Sequence, residues 1–260
     1  MGHKRYGYLP KSQIWRDIVD SLGGFSLGKT EISSIAQSTL RNVQSQYTNL
    51  KNDPSINAAF EFLVHVSLAF QKNEPLKYLT EKKILDKEDL SLIRLAKGAT
   101  KYKNDEIASH EYQTFARQAA IDALNNWYKQ NIERGQTFFS EGIDNEAVFR
   151  KASNGSGFCE LSRLYFSKLT ERYLKYFLER EASSKISNVS ERERFSKEIE
   201  KQVDQISKHA FETAKITESF SAGWYNKNVK GDLPDDNEMK YFLNRSFGKM
   251  KSELLREEGK

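Results

Sequence analysis

Apolar side chains recur at three- and four-residue spacing along most of this 260-residue chain, and clear two-residue alternation is missing. The first period lays apolar residues along one face of a helix, and the second would mark a half-buried strand. Ile14, Ile18 and Leu22 stand four apart and predict a helix over residues 11–22, stopped by Gly23-Gly24. Thr30 is placed to cap a second helix with the stripe Ile32, Ile35, Ala36, Leu40, Val43, Tyr47 and Leu50. Asp53-Pro54 offers an N-cap followed by proline at the first helical position. The third helix then carries Ile56, Phe60, Leu63, Val64, Ser67 and Phe70. It is apolar on most sides, so it belongs at the centre of the N-terminal half, with Phe60 and Leu63 buried. Helices near 76–80 and over 86–99 follow, and the polar, lysine-rich segment 97–105 reads as a linker.

The second half opens with a helix over 109–134 that places Phe115, Ala119, Ala123, Trp127 and Tyr128 on or near one face. A glycine-rich stretch, 135–157, surrounds a short helix at 144–152. A long helix over 158–185 carries Tyr165, Phe166, Tyr173, Tyr176 and Phe177. Its charges, Glu171, Arg172, Lys175, Glu179 and Arg180, are spaced for pairing along an outer face. Ser190 with Glu193 forms a capping box opening a helix through Phe195, Ile199, Val203, Ile206 and Ala210 toward Phe220 and Trp224. After a polar loop at 226–233, Pro234 introduces a last helix with Met239, Phe242, Leu243, Phe247 and Met250. The four prolines are Pro10, Pro54, Pro75 and Pro234, so the middle of the chain can hold long unbroken helices. The fold class expected is all-α, a multi-helix bundle of two packed sub-bundles. Residues 1–104 hold a basic arm and the first sub-bundle, and residues 105–260 hold the second, with long aromatic-rich helices.

Composition narrows the setting. An apolar share of 38% with 30% charged residues suits amphipathic helices with solvated faces. The net charge is +5, from 41 basic and 36 acidic side chains, which permits a nucleic-acid partner without demanding one. Cys159 is the only cysteine, so no intrachain disulfide forms, and a reducing cytoplasm is the simplest compartment. The first residues lack the apolar core of a signal peptide. The most apolar run, 56–70, carries Asn57, Glu61 and His65, too short and polar to span a bilayer. The expectation is a cytoplasmic protein with no membrane partner.

One string has the form of a signature. Gly23-Gly24-Phe25-Ser26-Leu27-Gly28-Lys29-Thr30 fits the phosphate-binding loop pattern G-x-x-x-x-G-K-[ST]. On that reading Gly28, Lys29 and Thr30 would contact nucleotide phosphate and Mg²⁺. A true P-loop follows a buried strand, and here the preceding pattern is helical. Each letter also has a local explanation: a helix end, a turn and a cap. A helix-turn-helix reading of 11–22 and 30–50 meets an intervening segment longer than usual. The N-terminus is the stronger surface signal. Lys4, Arg5, Lys11 and Arg16 occur before any acid and are interleaved with Tyr6, Tyr8 and Trp15. Such a segment can contact phosphates and stack on bases, or grip a protein partner; the alternative is an arm whose Tyr8, Leu9 and Trp15 dock on its own protein with the lysines in water. Lys97, Lys101 and Lys103 read as solvated linker residues.

Other chemistry finds little support. His3, His65, His110 and His209 lie far apart, and no H-E-x-x-H or Glu-x-x-His spacing occurs. Glu61 with His65 and Glu106 with His110 have the four-residue spacing of plain helix contacts. Cys159 reads as a small buried residue beside Phe158, and no G-x-S-x-G element is present. No catalytic residue, metal or cofactor is therefore assigned. The string Thr170-Glu171-Arg172-Tyr173-Leu174-Lys175-Tyr176-Phe177-Leu178 resembles helical proteins of bacterial defence clusters. That resemblance spans about thirty residues, carries no diagnostic motif and assigns no residue. The function expected is a non-catalytic subunit or adaptor of a cytoplasmic prokaryotic multiprotein complex, in nucleic-acid processing or antiviral defence, with a larger protein as partner. The alternatives are a DNA- or RNA-binding protein using the arm, and a nucleotide-binding protein using residues 23–30.

Overall fold

The computed structural model describes residues 13–26, 52–104, 113–133, 144–198 and 216–258, with the single positions 35, 38, 50 and 201. The fold is an all-α bundle of helices packed on one another, with no strand among the described residues. The elements are α1 (Gln13–Ser26), α2 (Pro54–Ala69), α3 (Pro75–Glu81), α4 (Leu92–Lys101), α5 (Gln113–Glu133), α6 (Asn145–Arg150), a 3₁₀ turn (Lys151–Ser153), α7 (Gly155–Lys185), α8 (Ile216–Asn228) and α9 (Asp236–Glu258). Residues 189–198 are also helical.

α2 is the hub. Asp53 caps it, its Oδ1 accepting from the backbone N–H of Ser55 at 2.8 Å and of Ile56 at 3.3 Å. Pro54 occupies the first turn. From Ser55 to Ala69 only Asn57 escapes burial. α5, α7 and α9 all pack on α2, and α7 runs along α5 and α8 and receives α1. At 31 residues α7 is about 46 Å long. The core is continuous from Leu22 to Phe247. Its centre is the Phe60 ring, ringed by Phe158, Tyr165, Phe166, Trp224 and Phe242 from three other helices at centroid separations of 5.0–6.3 Å. Phe60 and Leu63 are buried as the pattern predicts.

Several boundaries differ from expectation. α1 does not stop at Gly23-Gly24 but continues to Ser26. Glycine weakens a helix by about 1 kcal/mol each, and here packing on α7, with Leu22 fully buried, outweighs it. α4 starts at Leu92, later than residue 86, because Ser91 supplies the cap and accepts from the Arg94 N–H. Residues 97–105 are not a linker over their described part. Lys97 to Lys101 form the end of α4, and Tyr102 and Lys103 turn back onto α2. α7 begins at Gly155, three residues early, with Asn154 accepting from the Gly157 N–H at 2.9 Å. Asn188, not Ser190, caps the segment at 189, accepting from the backbone of Ser190 and Glu191. Glu171 is buried and pairs with Lys168 within α7, while Arg172 crosses to Asp122 at 2.7 Å and ties α7 to α5.

Candidate functional site

α2 is so apolar that its two charged-type positions, Glu61 and His65, stand out one turn apart. Both face α3 and the end of α4. α3 delivers Tyr78, whose hydroxyl lies 2.7 Å from His65 Nδ1. The chain leaving α4 delivers Tyr102, donating to Glu61 Oε1 at 2.7 Å, and Lys103, donating to Oε2 at 2.6 Å. His65 Nε2 is 3.8 Å from Glu61 Oε1. To reach Glu61, Lys103 adopts φ +49°, the left-handed region a β-carbon disfavours.

Burial alone pushes the Glu61 carboxyl up, and its neighbours, the His65 imidazole, Lys103 and Tyr102, overcome that and hold it at about 2. The His65 contact is longer than a hydrogen bond, so the shorter Lys103 and Tyr102 contacts carry more of this effect. Burial, with Asp232 and Glu61 adding negative charge, pushes Tyr78 up to about 12. Tyr78 therefore keeps its proton near neutral pH, and its hydroxyl stays hydrogen-bonded to His65 Nδ1. An ionised carboxylate with both oxygens occupied, and a phenol this reluctant to ionise, are poor proton donors and acceptors near neutral pH. The arrangement clamps α3 and α4 to α2.

A second buried network joins α2 to α8. Ser67 donates to the carbonyl of Ala152, and its hydroxyl is bonded to that of Tyr225 at 2.8 Å. Gln71 donates to Ser153 O and the Tyr225 hydroxyl and accepts from the Gly231 N–H at 3.1 Å. Burial pushes Tyr225 up to about 12. On the surface, Arg94 reaches both Asp86 and Asp89, and Lys97 holds Asp86 at 2.9 Å. Hydrogen bonds from Lys97 and Arg94 keep the Asp86 carboxyl at about 2. Lys97 and Lys103 are thus paired residues rather than solvated linker lysines. Among the described residues no group of three potential metal ligands converges. No described helix is long and apolar enough to cross a membrane.

Of the residues singled out by sequence, Lys4, Arg5, Tyr6, Tyr8 and Lys11 lie outside the described residues, as do Gly28, Lys29 and Thr30. Trp15 and Arg16 stand on α1, with Arg16 exposed. Gly23 to Ser26, the first half of the P-loop-like string, are helical where that motif would follow a strand. Cys159 is buried. Tyr78, Tyr102 and Lys103 carry no local signal of their role. They meet Glu61 and His65 across 13 to 42 residues of chain. No protein-family model, curated protein or solved structure matches this chain.

Proposed function

We propose that this chain is a non-catalytic helical subunit or adaptor of a cytoplasmic prokaryotic multiprotein complex, working in nucleic-acid processing or antiviral defence. The observation that supports it is the closure of the Glu61 cluster. Acid, imidazole, phenol and amine are gathered there, as catalytic sites gather them, yet each is used to hold one helix against another. Activity then rests with the surface, and the basic, aromatic segment 4–16 is the element we assign to a partner.

The test is purification of the tagged full chain from its native host, with and without nuclease treatment. The adaptor reading expects one protein to co-elute in fixed stoichiometry and to remain after nuclease. Co-elution lost on nuclease treatment favours the nucleic-acid alternative through the arm. ATP hydrolysis by the purified chain that disappears in Lys29→Ala favours the P-loop alternative. A chain that elutes alone under both conditions contradicts the proposal.

A further inference from the structure

We infer that α3, the turn after it and the C-terminal end of α4 form a surface that binds the phosphate backbone of a nucleic acid. Residues 72–103 carry nine Lys and Arg against five Asp and Glu, which is nearly all of the chain's net positive charge. The acids are not spread evenly among them. Asp86 and Asp89 are taken by Arg94, Lys97 and Lys87, and Glu74 by Lys77. Glu81 and Glu88 also act on Lys77. Lys103 answers buried Glu61. That leaves Lys72, Lys82, Lys83 and Lys101. Lys72 has only the almost fully exposed Asp232, at 3.6 Å. Lys82, Lys83 and Lys101 form no ion pair among the described residues.

Two of these lysines sit beside a partly exposed aromatic ring. The ammonium groups of Lys72 and Lys82 lie 5.7 Å and 5.8 Å from the centroid of the Tyr78 ring. Tyr78 touches His65, His65 touches Tyr102, and Lys103 lies over Tyr102 at 5.9 Å. Lys83 supplies an independent sign. It sits just past the end of α3 with φ +57°, while the N–H of Ile84 returns to Leu79 O at 2.9 Å. Glycine is the residue that closes a helix this way without strain. The N–H of Lys83 donates to Thr80 O at 3.0 Å, but its side chain is exposed and makes no hydrogen bond or ion pair among the described residues, so packing does not explain a lysine there. An unrepaid strained position points to function, and what lysine adds to glycine is an ammonium group on a tether.

Ammonium groups interleaved with tyrosine rings fit phosphates with bases beside them. A bilayer would instead require apolar side chains to insert, and Ile93 is the only exposed large hydrophobic of this segment. The surface stands apart from the adaptor reading, because binding here is a property of the purified chain alone.

The experiment is an anisotropy titration of the purified full chain with a labelled 20-nucleotide single strand and the matching duplex, each at two salt concentrations. Circular dichroism checks the fold of every variant. Expected is binding that weakens steeply with salt, an at least tenfold loss in Lys82→Glu/Lys83→Glu, and a salt slope shallower by about two in that variant. Lys83→Gly relieves the backbone strain, so it raises the melting temperature and still weakens binding severalfold. Deleting residues 1–10 leaves most of the affinity. The inference is overturned by absence of binding at low salt, by full affinity in the double variant, or by loss of all binding with the arm. It is also overturned by a stabilised Lys83→Gly protein of unchanged affinity, or by binding to phosphatidylserine vesicles but not to either oligonucleotide.

Discussion

At the scale of single residues, Glu61 shows how burial and partners set a charge state. Its carboxyl moves from 4.5 to about 2 on folding. A depressed carboxylate contributes stability that is fully present above its unfolded pKa and is lost as pH falls through the folded one. The window is therefore pH 4.5 down to 2, and the shift corresponds to about 3 kcal/mol at neutral pH. Glu61→Gln keeps the shape but leaves Lys103 facing an uncharged amide, so it lowers stability at pH 7 and flattens the loss on acidification. Urea denaturation at pH 7 and pH 3 checks this. Wild type and variant losing equal stability between those pH values would show that Glu61 is not the group responsible. The Glu61–His65 spacing is legible along the chain as a helix contact. The identity of the counter-ion is not, because Lys103 arrives from 42 residues away.

Among elements, the glycines divide by what a β-carbon would meet. At Gly157, in the first turn of α7, it would lie 1.9 Å from the backbone oxygen of Lys151. A side chain there pushes α7 off the 3₁₀ turn, so Gly157→Ala costs about 3 kcal/mol, at the upper end of ordinary overpacking. At Gly223, within α8, nothing lies within 4 Å. Gly223→Ala therefore gains up to about 1 kcal/mol of helix propensity. Thermal denaturation of the two variants should move in opposite directions. If both fall, the α8 surface is more crowded than this geometry allows. The glycine-rich stretch reads as loop in the sequence because glycine marks both turns and close approaches, and only the neighbouring backbone separates the two.

For the molecule as a whole, stability centres on α2. Phe60→Ala removes a ring that meets five others, and should cost roughly 3–5 kcal/mol, with Leu63→Ala costing roughly 2–5 kcal/mol. Equilibrium unfolding measures both. A loss under about 0.5 kcal/mol, the range of a neutral surface change, would move the centre of the core elsewhere. Deleting residues 1–10 is a separate matter. If the arm serves a partner, the deletion spares the melting temperature and weakens association. A protein partner gripping the aromatics gives a shallow salt dependence, since apolar burial is little screened. A melting temperature lowered by the deletion with association intact would make the arm structural.

The amino-acid sequence by itself determined the helical class, the central helix with its Asp53-Pro54 start, and the burial of Phe60 and Leu63. Each follows from neighbours within one or two turns, where spacing and capping act directly. Only the tertiary structure decided that α1 runs through two glycines, that Asn154 and Asn188 rather than later residues cap their helices, and that the segment after α4 folds back as the partner of Glu61. Those outcomes depend on which surfaces meet across tens of residues. There packing overrides local propensity, and a charge finds its counter-ion in space rather than along the chain.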